Sequence, residues 1–444
     1  MPVKPLNVFT YFDVQRFKQY SPQDAANWTV MDAPTGKRKM ALYPAMGRSV
    51  VTNNAGEILL QFNGRIRAIF KSIDFMYVVV GGSVIQVDKN FNQYYLPANP
   101  DFDSGGPVWF AYLPVITGPN TIPTQQQNVF CMFTCGGKCF VVQEATTSPM
   151  LVTITDPNAP PFALYVAAFG NRFVVSSKGS TQFQLTQLNC VDDTGTFDPA
   201  TLFTIPNGSG TAVFAQEAGI IQQLAVLHNQ LYIFCDFTTG IWANLPSQVG
   251  SGDTLEVFPW KKNTSYDWDY GIADPNSVDV DFGMICWLAQ NRNGLVLFMK
   301  SSGNQPEPFS TQAVNTLIQQ SADNFPAPFL DVDSIGFLYQ YEDTVFYRIS
   351  AGPKDTFGDD FLVQSAASLE YNFNTQTWKR CIEVDGDRNL IQDHIFFQRK
   401  HIVSVLGETT LYMMAGNIYT NQISDDTEDT GYRTDPMRYE LVTP

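Results

Sequence analysis

Short apolar runs separated by polar turn residues set the pattern of this chain, most clearly between Gly283 and Gln319. Met284-Ile-Cys-Trp-Leu-Ala289 is apolar, Gln290-Asn-Arg-Asn-Gly294 gathers turn formers, and Leu295-Val-Leu-Phe-Met299 is apolar again. Two strands joined by a tight turn follow from that order. Neither run alternates, so both faces of the hairpin are expected to be buried between neighbouring sheets. Beyond the small and proline residues of Ser301 to Pro308, Ser310 is placed to cap a short helix whose Ala313, Val314, Leu317 and Ile318 share one face. No other stretch reads convincingly as a helix.

The same grammar recurs along the chain: an apolar strand, a polar turn, a strand often rich in Tyr or Phe, a Gly or Thr turn, and a third strand. Ile66 to Ser72, Phe75 to Val80 and Val84 to Val87 form one such unit, and Asn128 to Thr134 with Cys139 to Gln143 another. Ala163 to Phe169, Arg172 to Ser176 and Thr181 to Leu185 follow, then Gln222 to Leu227, Leu231 to Cys235 and Gly240 to Asn244. After the hairpin at Met284 come Ile335 to Tyr341 with Thr344 to Ile349, and last His394 to Val405, Thr410 to Met414 and Gly416 to Thr420. Seven repeats spaced at roughly the length of a propeller blade predict an all-β fold, a β-propeller-like body of six or seven blades with long inserted loops. A β-sandwich is the weaker alternative. Trp378, in Tyr371-Asn-Phe-Asn-Thr-Gln-Thr-Trp378, is placed to fill a gap between blades.

The body is expected over residues 41–424, preceded by an irregular arm over 1–40 and followed by an acidic tail over 425–444. Insertions rich in Pro, Gly, Asn and Asp are expected at about 97–127, 189–219 and 245–282, and loops of such length are usually functional or part of an interface. The third carries Phe258-Pro-Trp-Lys-Lys-Asn-Thr-Ser-Tyr-Asp-Trp-Asp-Tyr270, the densest aromatic run in the chain. Trp260, Tyr266, Trp268 and Tyr270 read as anchors of a subunit interface, with a sugar-binding platform as the second reading.

Composition narrows the function classes. With 27 Lys and Arg against 43 Asp and Glu, the formal charge of -16 argues against a protein that grips nucleic acid by its phosphates. It suits either an ordinary acidic surface or a wall past which DNA slides without sticking. No apolar segment approaches a membrane span of about 20 residues, and residues 1–19 lack the apolar core of a signal peptide, so folding in a cytosol is expected.

Seven cysteines scattered over the length do not suggest a disulfide framework. Cys131, Cys135 and Cys139 are spaced unlike a zinc knuckle, and Gly136-Gly137 between them reads as a hairpin turn, so reduced, buried thiols are expected. His228-Asn229 also reads as a turn, while His394 and His401 flank a strand and read as structural or exposed. Asp385-Gly-Asp-Arg-Asn389 resembles the start of a calcium loop, but its glycine is misplaced and Phe396 stands where the closing Glu belongs. Asp279-Val-Asp281 and Asp331-Val-Asp333 are weaker still. No Walker-type loop and no G-x-S-x-G elbow occurs, so no catalytic, metal or cofactor residues are assigned. Paired carboxylates of a glycosidase would come together only in the fold.

Several phrases, in order, resemble the tail hub or nozzle proteins of short-tailed bacteriophages, also called packaged-DNA stabilisation proteins. They are Tyr20-Ser-Pro-Gln-Asp-Ala-Ala-Asn27 with Ala41-Leu-Tyr-Pro-Ala-Met-Gly47, Tyr165 to Gln182, Leu224 to Trp242, Pro306 to Leu317, and Leu411 to Thr420 before the acidic end. They span nearly the whole chain, although Trp28 stands where a Leu-Tyr pair is expected and the tail is more acidic than the family pattern. The resemblance implies a non-enzymatic virion protein: a ring, expected to be hexameric, docked beneath a portal adaptor, with tailspike, fibre or tail-needle proteins as distal partners. DNA would pass through without specific binding. Asp101, Asp103, Asp267 and Asp269, in the long loops, are then candidates for an acidic channel lining. A carbohydrate-binding or carbohydrate-active propeller is the alternative reading.

Overall fold

The computed structural model describes residues 25–26, 28–32, 40–117, 126–204, 214–249, 256–318, 335–351, 367–381, 391–415, 420–424, 432–436 and 440–441, apart from 54, 145–147, 192–194, 246, 264–266, 304, 313 and 316–317. Among these residues the chain is an all-β, seven-bladed β-propeller arrangement, each blade an antiparallel sheet built on four strands. Blade 1 comprises Ile66–Lys71, Met76–Val80, Ser83–Val87 and Gln93–Tyr95, and blade 2 comprises Val108–Thr117, Gln126–Cys135, Lys138–Gln143 and Val152–Thr153. Blade 3 is Ala163–Phe169, Arg172–Ser177, Gln182–Leu185 and Phe214–Gln216, and blade 4 is Ile221–Leu227, Gln230–Cys235, Thr239–Ala243 and Lys261–Lys262. Blade 5 is Asp279–Asp281, Met284–Gln290, Val296–Ser301 and Glu307–Pro308, and blade 6 is Ile335–Tyr341, Thr344–Ala351, Ala367–Asn372 and Thr377–Arg380. Blade 7 takes Ile391–Phe397, Lys400–Val405 and Tyr412–Ala415 from late in the chain and Gly47–Val50 from its start.

Two compact units divide the chain. One, Phe62–Ile272 with Gly303–Gln305, holds blades 1 to 4; the other, Met1–Gln61, Ala273–Ser302 and Pro306–Pro444, holds blades 5 to 7. Within each, the apolar runs are buried on both faces because every blade packs against a neighbour. Tyr77, Val79, Phe133 and Phe140 share the layer between blades 1 and 2, and Phe130, Val141, Val166 and Phe173 that between blades 2 and 3. Phe169, Phe183, Leu231, Ile233 and Trp242 fill the layer between blades 3 and 4. In the other unit Leu288, Phe298, Tyr347 and Ile349 lie between blades 5 and 6, and Phe337, Tyr339, Val403 and Tyr412 between blades 6 and 7. Trp378 occupies the expected inter-blade gap, stacked 5.6 Å from Phe309 with its indole N–H donating to the Phe309 carbonyl.

Local chemistry explains the turns and bends. His228 and Asn229 both take left-handed φ values, 49° and 58°, as a two-residue hairpin with the twist of its strands requires. Gly136 and Gly137 do the same in blade 2, where a Cβ on Gly136 would come within 2.8 Å of Asp103. In blades 1, 3, 4 and 7 the first strand slips register at its second residue, between Ile66 and Ala68, Ala163 and Tyr165, Ile221 and Gln223, and Ile391 and Asp393. Such bulges add twist and re-aim a side chain. In blade 1 the re-aimed residue is Arg67, whose guanidinium donates to the carbonyls of Gly81, Asp103, Gly105 and Gly106 and reaches Cys135 Sγ.

Three expectations change. Much of the stretch at 97–127 is blade, since Val108–Thr117 is the first strand of blade 2 and pairs along its whole length with Gln126–Cys135. The stretch at 245–282 likewise supplies Lys261–Lys262 to blade 4, Asp279–Asp281 to blade 5, and a hairpin of Ser247–Val249 with Glu256–Phe258. The helix forms at Gln312, Val314, Asn315 and Ile318, with Ala313 and Leu317 outside the described residues, but Thr311 caps it by accepting from the Val314 N–H. Ser310 is drawn away because its hydroxyl accepts from the Phe298 N–H.

Candidate functional site

The aromatic run between Phe258 and Tyr270 does not present its tryptophans to a partner. Lys261–Lys262 pairs with Trp242 and Ala243 as the fourth strand of blade 4, which pins the run against the body. Trp260 has 0% exposure and packs 4.7 Å from Phe169, close enough that a Cβ on Gly170 would meet its Nε1 at 2.7 Å. Trp268 is 2% exposed, 5.3 Å from Tyr232, and its backbone N–H and carbonyl both bond to Thr239. Tyr270 is half-buried and its carbonyl accepts from the Thr239 hydroxyl. Trp260 and Trp268 are therefore core residues of blade 4, and the expectation that they anchor an interface is corrected; Tyr266 lies outside the described residues.

The four acidic candidates are exposed, yet two are neutralised locally. Asp101 meets Lys138 Nζ at 2.5 Å, and that ammonium holds its carboxyl below the usual range. Asp267 lies 3.2 Å from Lys262. Asp103 caps its own turn by accepting from the Gly105 N–H, and Asp269 is exposed. As a source of repulsion toward phosphate, Asp101 and Asp267 are weakened by their partners.

All seven cysteines are free and buried. Cys131 and Cys135 face the layer between blades 1 and 2, whereas Cys139 faces the opposite layer between blades 2 and 3, so the three converge on no common point. Burial pushes the Cys139, Cys190 and Cys235 thiols up to about 12, which keeps them protonated and unreactive. The Asp385 to Asn389 and Asp331 to Asp333 motifs lie outside the described residues. Asp279 is structural: its carboxylate accepts from the N–H groups of Leu338 and Val280, tying blade 5 to blade 6, and burial pushes its pKa up to about 6.

Two ionic networks were not foreseen from the sequence. Just after the fourth strand of blade 3, Glu217 is buried and accepts from both the Trp242 indole and Lys262 Nζ of blade 4 at 2.5 Å. Burial alone would lower the Lys262 pKa, but Glu217 and Asp267 outweigh it and raise it. In blade 6, Glu370 on the third strand lies 2.6 Å from Lys379 on the fourth and 3.7 Å from Arg348 on the second, with side-chain exposures of 1%, 7% and 3%. Burial would raise the Glu370 pKa; the two cations prevail and hold it below the usual range, so it stays ionised. Beside this triad, His394 Nε2 and His401 Nδ1 lie 3.0 Å apart, with Phe337 stacked 4.8 Å from His394 and Tyr339 edge-on to His401. Burial, then His401 and Arg348, lower the His394 pKa to about 3.

No family model matches the chain, and no curated protein does. Solved structures with some likeness include the Neurospora crassa Pan2 WD40 domain, with TM-score 0.41 at 8% identity over 80% of this chain and 90% of that one. The computationally designed Ika8 protein gives TM-score 0.39 at 9% identity, over 83% and 99%. A chain of the mitotic checkpoint complex gives 0.38 at 8% identity, over 92% and 98%. The propeller assignment rests on the sheet topology, and these likenesses add no functional argument.

The blade 6 network is closed to solvent and satisfied by partners on adjacent strands, so what it does chemically is hold strands in register; in the other, Glu217 is buried while Lys262 and Asp267 reach solvent. A buried ion pair enforces one arrangement because separating its members strands a charge.

Proposed function

We propose that the protein is a structural, non-enzymatic virion component: a tail hub ring that docks beneath a portal adaptor, retains packaged DNA and opens for ejection. The observation that carries this reading is the spread of the resembling phrases over the architecture. Tyr165 to Gln182 spans the first hairpin of blade 3, Leu224 to Trp242 spans three strands of blade 4, Pro306 to Leu317 runs from the outer strand of blade 5 into the helix, and Leu411 to Thr420 includes the third strand of blade 7. A likeness distributed over four blades concerns a scaffold; a shared activity would need likeness at one site. The charge of -16 supports the reading, since a channel that must release DNA is poorly served by phosphate-binding surface. The sugar-binding alternative lost its motivation when Trp260 and Trp268 proved to be core residues.

The test is twofold. Mixed with the adaptor ring, the protein should form a hexameric ring seen in negative-stain images, and in a filter-binding assay at about 150 mM salt, where screening confines charge effects to short range, it should retain neither single- nor double-stranded DNA. Failure to assemble on the adaptor removes the hub reading. Saturable micromolar binding of DNA would leave the ring in place and replace a steric gate with one that grips.

A further inference from the structure

The joint between blades 6 and 7 contains more ionisable chemistry than a structural seam needs. His394 and His401 sit on one face of blade 7 and meet blade 6 through Phe337 and Tyr339. In the 3.0 Å contact one ring N–H donates and the facing ring nitrogen accepts. A proton added to the accepting nitrogen puts two N–H groups face to face unless the other ring changes tautomer. A proton added to the far nitrogen of the donor ring keeps the bond but brings a charge into the joint.

The charged groups around the pair make an added proton unwelcome. From blade 6 come Arg348, Lys379 and Glu370, two cations against one anion already committed to both. Tyr339 and Cys381 lie beside Glu370 with their protons held on. From blade 7, Arg48 lies across from Met414, which in turn pairs with His401, so a third buried cation shares that cross-strand row. Lys400 contacts Met413, and the Asp393 carboxylate is occupied by the N–H of His394.

We propose that the His394–His401 pair is an acid-sensitive latch between blades 6 and 7: closed while both imidazoles are neutral, and opened when the pair takes a proton beside Arg348. It stands apart from the virion reading, because it needs only the geometry of this joint. Unfolded or opened chain binds the proton at an ordinary histidine pKa and the closed joint does not, so opening is favoured as pH falls below about 6.5.

Hydrogen exchange on the full chain tests it. After correction for the intrinsic pH dependence of exchange, opening of residues 335–351 and 391–415 should rise about 25-fold from pH 7 to pH 5 on account of His394 alone. The double variant His394→Phe, His401→Phe should lose that rise. Equal protection at both pH values in the wild type, or an unchanged rise in the variant, overturns the latch. Should the variant not fold, imidazole proton resonances of the wild type decide: both rings still neutral at pH 5 in the closed protein support it, and both titrating near 6.5 overturn it.

Discussion

Replacing Trp268 with alanine separates a core residue from an interface residue, because the two roles predict opposite outcomes for the isolated protein. The indole is 2% exposed, lies 5.3 Å from Tyr232 and 6.5 Å from Phe234, and hangs from a backbone whose two bonds to Thr239 the substitution leaves intact. Burying a tryptophan removes up to about 250 Å² from water, or about 6 kcal/mol at 25 cal/mol per Å². Residual burial in the unfolded chain lowers that to about 4 kcal/mol, within the range of measured Trp-to-Ala losses. Set against a typical domain stability of about 5–15 kcal/mol, this is a severe loss. Urea unfolding followed by circular dichroism should show it as a fall in midpoint of about 1 M or more, and Trp268→Phe should recover over half. A loss below about 0.5 kcal/mol, the level of an ordinary surface substitution, accompanied by impaired assembly, would refute the core assignment.

Glu217→Gln should cost about 3 kcal/mol in the same assay, since it leaves the Lys262 ammonium without its closest partner. Gly336→Ala should cost more than about 2 kcal/mol, because its Cβ would overlap the Tyr347 hydroxyl and come within 2.7 Å of the Ser277 carbonyl; adding Tyr347→Phe should restore part of it, and a tolerated single variant would contradict the close approach. Asp279, whose carboxyl is pushed up to about 6 against an ordinary 3.8, is stabilised by protonation in the folded state, so its contribution grows as pH falls from about 6 toward 4. Asp279→Asn should therefore raise stability at pH 7 by about 1 kcal/mol, after discounting the accepted N–H bonds, and the gain should vanish near pH 4; a gain constant across pH would exclude titration as its source.

The blades were legible because burial on both faces leaves a mark in one dimension: Met284–Gln290 and Val296–Ser301 read as apolar runs flanking a polar turn, whichever sheets cover them. Strands flanked by Pro and Gly were hidden. Val108–Thr117 carries Pro114, and Lys261–Lys262 is too short and polar to leave a pattern, so both were taken for loop. The direction in which an aromatic side chain points is set by strand pairing, and no spacing in Trp260 to Tyr270 records it. The Arg348, Glu370 and Lys379 triad depends on the register Arg348 opposite Glu370 opposite Lys379 across three strands. A charged residue in each of three consecutive β-segments was the available signal. The histidines read as structural or exposed residues flanking a strand; their pairing across the turn at Gln398 and Arg399 leaves no mark in the sequence, because the partners Phe337 and Tyr339 come from another blade.

Blade 7 also sets a schedule. Its fourth strand, Gly47–Val50, is synthesised about 360 residues before the strand it pairs with, Tyr412–Ala415, a delay of roughly 20–70 s at ordinary rates of translation. Hairpins within the other blades form in microseconds, so this strand waits as an open edge beside nearly finished sheets. An unpaired edge invites false partners, and a charged side chain on it discourages them. Arg48 sits in the middle of that edge and ends 1% exposed, its guanidinium 6.0 Å from the Tyr412 ring. The charge that guards the nascent chain must shed its water when Tyr412 arrives, so closing blade 7 is expected to be the slow step of folding, and aggregation the hazard of any truncation that removes Tyr412–Ala415.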